Sequence, residues 1–125
     1  MQFAILARRA PRFAVSGVVA TGVHALVAAG VMNLVLPSPP LANALAFAVA
    51  TASSYVLNTT WSFSSRPDRR NFTRFIVVAL LGCAMAAAVS GLAQQFGLDF
   101  WVGVGLVVLT VPPVTFLLHG YWTYR

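Results

Sequence analysis

The chain has 125 residues, of which 59% are hydrophobic and only 8% charged, whereas a soluble globular domain carries about 25% charged residues. That excludes an ordinary water-soluble domain and describes a chain that lives in a bilayer. The formal charge of +6 comes from eight basic residues, all Arg, against Asp68 and Asp99. In a soluble chain such a balance would suggest nucleic acid, but here the arginines fall only beside long apolar runs, so no nucleic-acid partner is expected.

The first residues, MQFAILARRAPRF, lead into an apolar run much longer than the roughly 7–15 residues of a signal-peptide core, so they are read as mature protein. The first span is expected at about 13–36, roughly 36 Å of helix, enough to cross a hydrocarbon core of about 30 Å. The run Pro37 to Pro40 ends it. Pro40 stands just before the second span, at about 41–63, where a missing N–H costs nothing. Trp61 and Phe63 close that span as interfacial aromatics. Arg66, Arg69, Arg70 and Arg74 fill the junction, the third span follows at about 72–95, and a short turn at 96–99 leads to the fourth at about 100–124. Pro112 and Pro113 remove two donors, free the carbonyls of Val108 and Leu109, and predict a kink in that last helix. Those carbonyls either line a polar cavity or are met by Thr110, Thr115 or a neighbouring helix.

The expected fold class is therefore all-α integral membrane, four transmembrane helices forming two hairpins. Arginines precede the first span, separate the second from the third and follow the fourth, while the other two connections have none. The positive-inside rule then places both termini in the cytoplasm.

The two hairpins read as one unit written twice, about 12–63 and about 74–124. Arg12-Phe13 recurs as Arg74-Phe75, and Asn58 with Trp61-Ser62-Phe63 recurs as His119 with Trp122-Thr123-Tyr124. Repeats of two spans share an orientation, so this is a parallel repeat about an axis along the membrane normal. Small residues recur at four-residue spacing: Gly17, Thr21, Ala25 and Ala29 on the first span, Ala42, Ala46, Ala50 and Ser54 on the second, Ala79, Cys83, Ala87 and Gly91 on the third. Such stripes let helix backbones approach in lipid and are expected to be packing surfaces, a homodimer contact included.

No fixed charge lies inside a span. A carboxylate-driven proton exporter is thereby disfavoured, and Asp68 and Asp99 stand on opposite faces and cannot combine around a metal. There is no glycine-rich phosphate loop, and Cys83 is the only cysteine. The expectation is a protein without metal, cofactor or covalent catalysis, and not an enzyme. The polar groups left in the spans are Thr21 and His24 on one face of the first, Ser53, Ser54, Tyr55 and Asn58 on the second, and His119 on the fourth. An intramembrane His is a functional candidate, and a neutral His bonded to a neighbouring helix is the structural alternative. Trp61 and Trp122 serve either in a site or as aromatic-belt anchors. Arg12 and Arg74 open the two repeats alike, and the pseudo-axis could bring two guanidinium forks to one anionic headgroup; the other reading is that both snorkel.

The order Arg12-Phe13, Gly17, Thr21, Ala42-Asn43, Asn58, Trp61, Phe63, Arg74-Phe75, Trp122 resembles the GtrA-like family of small four-span bacterial membrane proteins, over almost the whole chain. The resemblance implies a multi-pass protein of the bacterial cytoplasmic membrane that takes part in cell-surface polysaccharide synthesis. It implies transfer of a polyprenyl-phosphate-linked sugar from the cytoplasmic to the outer leaflet, beside the membrane glycosyltransferase that makes it. Two departures stand out: Thr59 and Gly120 occupy places where relatives carry an Arg after the Asn, and His24 sits where many have an acid or amide. Within that reading, a groove lined by Thr21, His24, Ser54 and Asn58 would meet sugar hydroxyls while Arg12, Trp61, Arg74 and His119 complete the substrate-binding set. The alternatives are a non-transporting subunit that anchors a glycosyltransferase through the basic junction, and an exporter using His24 as its proton group.

Overall fold

The computed structural model describes residues 1–35 and 37–125. The expected end of the first span at Leu36 lies outside the described residues. Among these the regular structure is helical: α1 (Gln2–Gly30), α2 (Pro39–Leu57), α3 (Arg69–Gln95) and α4 (Phe100–Leu118), with a π-helical turn continuing α1 (Val31–Val35), α2 (Asn58–Ser62) and α4 (His119–Thr123). Four helices are long and apolar enough to cross a membrane. The chain divides into two compact units, Met1–Pro67 and Asp68–Arg125.

The helix starts follow from local chemistry. Ser38 precedes a helix that opens on Pro39 and Pro40, positions whose N–H would lack an intrahelical partner anyway. The chain's two acids both act as N-caps: Asp68 Oδ1 accepts from the Asn71 N–H at 2.7 Å, and Asp99 Oδ2 from the Trp101 N–H at 3.0 Å. Each satisfies an orphan donor of the first turn. At the far end of α3, Gly97 takes φ +68°, so that Leu98 N–H reaches Ala93 O and Gly97 N–H reaches Gln94 O, both at 3.0 Å. This is a Schellman closure, which needs a left-handed residue.

In the first unit α1 begins at Gln2, well before the apolar run that opens at Phe13, and continues through Pro11. The span with its π turn covers 34 residues, roughly 50 Å, so its first turns extend past a core of about 30 Å. α1 pairs with α2. Along α2 the stripe Ala42, Ala46 and Ala50 is buried. The matching stripe on α1 is not: Gly17, Thr21, Ala25 and Ala29 are exposed, and the positions with reduced exposure include Phe13, Ser16, Ala20, Val23, His24, Val27 and Ala28. Within this hairpin the small stripe of α1 therefore does not face α2.

In the second unit α3 pairs with α4, and Phe75, Val78, Gly82, Ala93 and Gly103 are buried. Gly82 marks a close approach of the two, since a Cβ there would lie 3.1 Å from Thr115 Cγ2. The expected stripe on α3 is likewise displaced, with Cys83 and Ala87 exposed. α4 stays one helix across Pro112 and Pro113. Thr110 Oγ1 donates to Leu106 O at 2.7 Å and Thr115 Oγ1 to Val111 O at 3.0 Å, so these hydroxyls meet carbonyls other than those of Val108 and Leu109. Val18, Leu26, Val108 and Leu109 are among the large apolar side chains left exposed, as lipid-facing residues are.

Candidate functional site

Both units carry the same device at their arginine-rich end. α2 and α4 each widen into one π turn, closed by Phe63 N–H to Asn58 O at 2.8 Å and by Tyr124 N–H to His119 O at 3.1 Å. Widened turns of this kind leave carbonyls without the usual partner and recur at functional sites. In the first unit Arg12 Nη1 donates to the Trp61 carbonyl at 3.3 Å, with its guanidinium 5.9 Å from the Trp61 ring centroid. In the second unit Arg74 Nη1 donates to the Trp122 carbonyl at 2.6 Å, 5.2 Å from that ring's centroid. A guanidinium has five N–H donors in a rigid fork, so one bond to a carbonyl fixes it and leaves the rest for an anion.

What lies beneath each arginine differs. In the first unit Ser16 and Ser62 hydroxyls bond at 2.9 Å in the core, Phe13 meets Phe63 edge-on at 6.3 Å, and Arg9 lies 5.6 Å from the Phe63 centroid. Asn58 is 2% exposed and its Nδ2 donates to Ser54 Oγ at 3.0 Å. Its Oδ1, although buried, has no hydrogen-bond partner among the described residues. In the second unit His119 replaces Asn58. It stacks on Phe75 with centroids 4.7 Å apart and planes at 14°, and its Nδ1 bonds Thr123 Oγ1 at 3.0 Å.

Of the residues singled out from sequence, Arg12 is brought to Trp61 and Ser54 to Asn58 in one unit, and Arg74 to Trp122 in the other, where His119 lies in the same π turn. Thr21 and His24 stand apart. Thr21 Oγ1 turns back to Gly17 O at 2.9 Å. His24 Nε2 lies 3.4 Å from Asn43 Oδ1, and Asn43 is about 22 Å of helix from Asn58. The four groove residues therefore mark a line along the first hairpin rather than a ring. Ser16, Ser62 and Thr123, all fully buried, were missed; the matched positions Ser62 and Thr123 in the repeat carried a signal for two of them.

Helices of this length and apolarity, a basic end and polar groups held inside each hairpin define a multi-pass helical membrane protein. The model of the family described as GtrA/DPMS, transmembrane domain, matches residues 12–124. The chain belongs to that family, which places it among membrane proteins of glycosyl-lipid-related processes. Neither the curated proteins nor the solved structures contain a match to it.

Proposed function

We propose that the protein transfers a polyprenyl-phosphate-linked sugar from the cytoplasmic to the outer leaflet of a bacterial cytoplasmic membrane, without catalysing a covalent step. The observation that carries this is the repeated arginine: each hairpin offers one guanidinium, fixed on the carbonyl of a π turn at the end rich in positive charge. A phosphodiester is the anion such a fork suits. The sugar's hydroxyls need partners in hydrocarbon, where each unmet polar group costs several kcal/mol. Asn58, with its unmet Oδ1, supplies an acceptor; Ser54, Thr21 and His24 continue the line of polar groups. A singly charged phosphodiester leaving an inside-negative cell moves downhill by about 2.3 kcal/mol per 100 mV, so no energy source in the chain is required. The partners of this reading are a membrane glycosyltransferase and a second copy of the chain, since four helices are few to surround a glycosylated headgroup.

The test is transfer in vesicles containing the purified protein and a labelled polyprenyl-phosphate sugar, comparing wild type with His24→Leu, Asn58→Ala and Arg12→Gln at equal protein levels. Loss of transfer in these variants supports the reading. Tolerance at His24 and Asn58 with sensitivity confined to the Arg66 to Arg74 junction would instead identify a non-transporting anchor for a glycosyltransferase.

A further inference from the structure

α1 begins about three turns before its apolar run, and those turns are packed rather than free. Leu6 is buried and Arg9 half-buried. The Arg9 guanidinium lies 5.6 Å from the Phe63 ring centroid, and that of Arg12 lies 5.9 Å from the Trp61 centroid. Three residues apart, the two arginines are neighbours on one helix face. Phe63, itself 2% exposed, is held edge-on by Phe13. Behind it Ser64 takes φ +50° and Ser65 N–H reaches Thr59 O at 2.7 Å. The closed end of α2 therefore seats two guanidinium forks on two rings.

The two forks are spent differently. Arg12 gives one N–H to Trp61 O. Arg9, with five donors, makes no hydrogen bond or ion pair from its guanidinium among the described residues. Nor does its unit hold a carboxylate to balance it: Met1–Pro67 contains Arg8, Arg9, Arg12 and Arg66 and neither Asp nor Glu. The second unit does not repeat the arrangement. Asn71 stands three residues before Arg74, where Arg9 stands before Arg12, and its N–H bonds Asp68. Arg74 is drawn to 2.6 Å from Trp122 O. Arg9 also lies ahead of the residues that the family model matches, which begin at 12.

We propose that Arg9 and Arg12 together bind a lipid phosphate carrying two negative charges, the phosphomonoester of an isoprenoid chain, in preference to the singly charged phosphodiester. One guanidinium matches the single charge of a phosphodiester, so the fork of Arg9 is left for a second charge. A phosphomonoester supplies it, carrying about −1.5 to −2 at pH 7. The inference rests on the reading of a lipid-linked sugar as substrate. Glycosyl transfer from that lipid breaks the bond between the anomeric carbon and the phosphate oxygen, which leaves with the electron pair as this phosphomonoester. A glycosyltransferase that recharges the carrier consumes it. The first hairpin thus holds the bare carrier at its arginine-rich end.

The test is binding of farnesyl phosphate to the full chain in detergent, measured by microscale thermophoresis against farnesyl methyl phosphate, farnesol and inorganic phosphate. At pH 7.5 the monoester should bind about tenfold tighter than the diester, the value of one added charge-assisted bond. The preference should shrink towards unity at pH 5, where the monoester has gained its second proton. His24 is about 18 Å of helix from Arg12 and the unit has no carboxylate, so the proton of the ligand is the one read. Arg9→Gln should erase the preference. Arg9→Lys, which keeps a charge over Phe63 but not the fork, should keep only part of it. Arg8→Gln, which removes an equal charge from an exposed neighbour, should keep all of it. Equal binding of the two esters at pH 7.5 overturns the proposal, as does a preference that survives Arg9→Gln or is lost equally in Arg8→Gln. So does farnesol or inorganic phosphate binding as tightly as farnesyl phosphate. Failed leaflet transfer of the sugar lipid with this preference intact counts against the transport reading alone; transfer without the preference removes this site alone.

Discussion

Asn58 and His119 occupy the same place in the two repeats and do different work. His119 is satisfied on both sides, by Phe75 and by Thr123, whereas Asn58 keeps a buried oxygen with no partner. Removing a contact that is satisfied costs stability; removing an unmet group costs little. His119→Ala is thus expected to destabilise by about 2 kcal/mol, from a lost hydrogen bond and a lost ring stack. Asn58→Leu removes the unmet oxygen together with the Nδ2 bond to Ser54, so it should lower the melting temperature less than His119→Ala while leaflet transfer falls, and equal loss of stability in both variants would remove the distinction. At Arg12, Lys keeps the charge but not the fork, so Arg12→Lys should retain membrane insertion and lower transfer about tenfold in vesicle flux. That these positions correspond between the two repeats could be read from sequence because the Arg-Phe and x-Trp-x-aromatic pairs recur. Their actual partners could not. A backbone carbonyl carries no residue identity, and nothing in Asn58 to Phe63 announces the π turn that presents Trp61 O to Arg12.

Helix count, approximate spans and the α3–α4 turn were legible, because hydrophobic length and a Gly before an Asp carry local physical signals. Which face of each helix packs was not. A four-residue stripe identifies a small surface but not its partner, and the alanines of α2 pack while the glycine-threonine stripe of α1 stays outside. The second unit shows what decides such a contact. Gly82 allows Thr115 to approach to 3.1 Å of a would-be Cβ, so Gly82→Ala forces the Thr115 methyl to move. A cost of about 1–3 kcal/mol is expected, as for overpacking elsewhere. Thr115→Ser removes that methyl while keeping the hydroxyl on Val111 O, and should recover most of the loss in thermal unfolding. Failure of the double variant to recover would place the close contact elsewhere. The caps act on the same scale: Asp68→Ala should cost about 1 kcal/mol and Asp68→Asn almost nothing.

For the molecule as a whole, the family sets the kind of process, and the distribution of arginines predicts an orientation with both termini in the cytoplasm. With Cys83 replaced by Ala, a cysteine at Leu98 should react with an impermeant maleimide from outside intact cells, and one at Ser64 only after permeabilisation. The reverse pattern would invert the direction of transfer. The most direct test of the transport reading uses vesicles of purified protein with a labelled polyprenyl-phosphate sugar initially in one leaflet and an impermeant glycosidase on the other side. Label should become cleavable at a rate proportional to protein and fall to that of empty vesicles in Arg12→Gln with Arg74→Gln. A wild-type rate no faster than that of protein-free vesicles would contradict it.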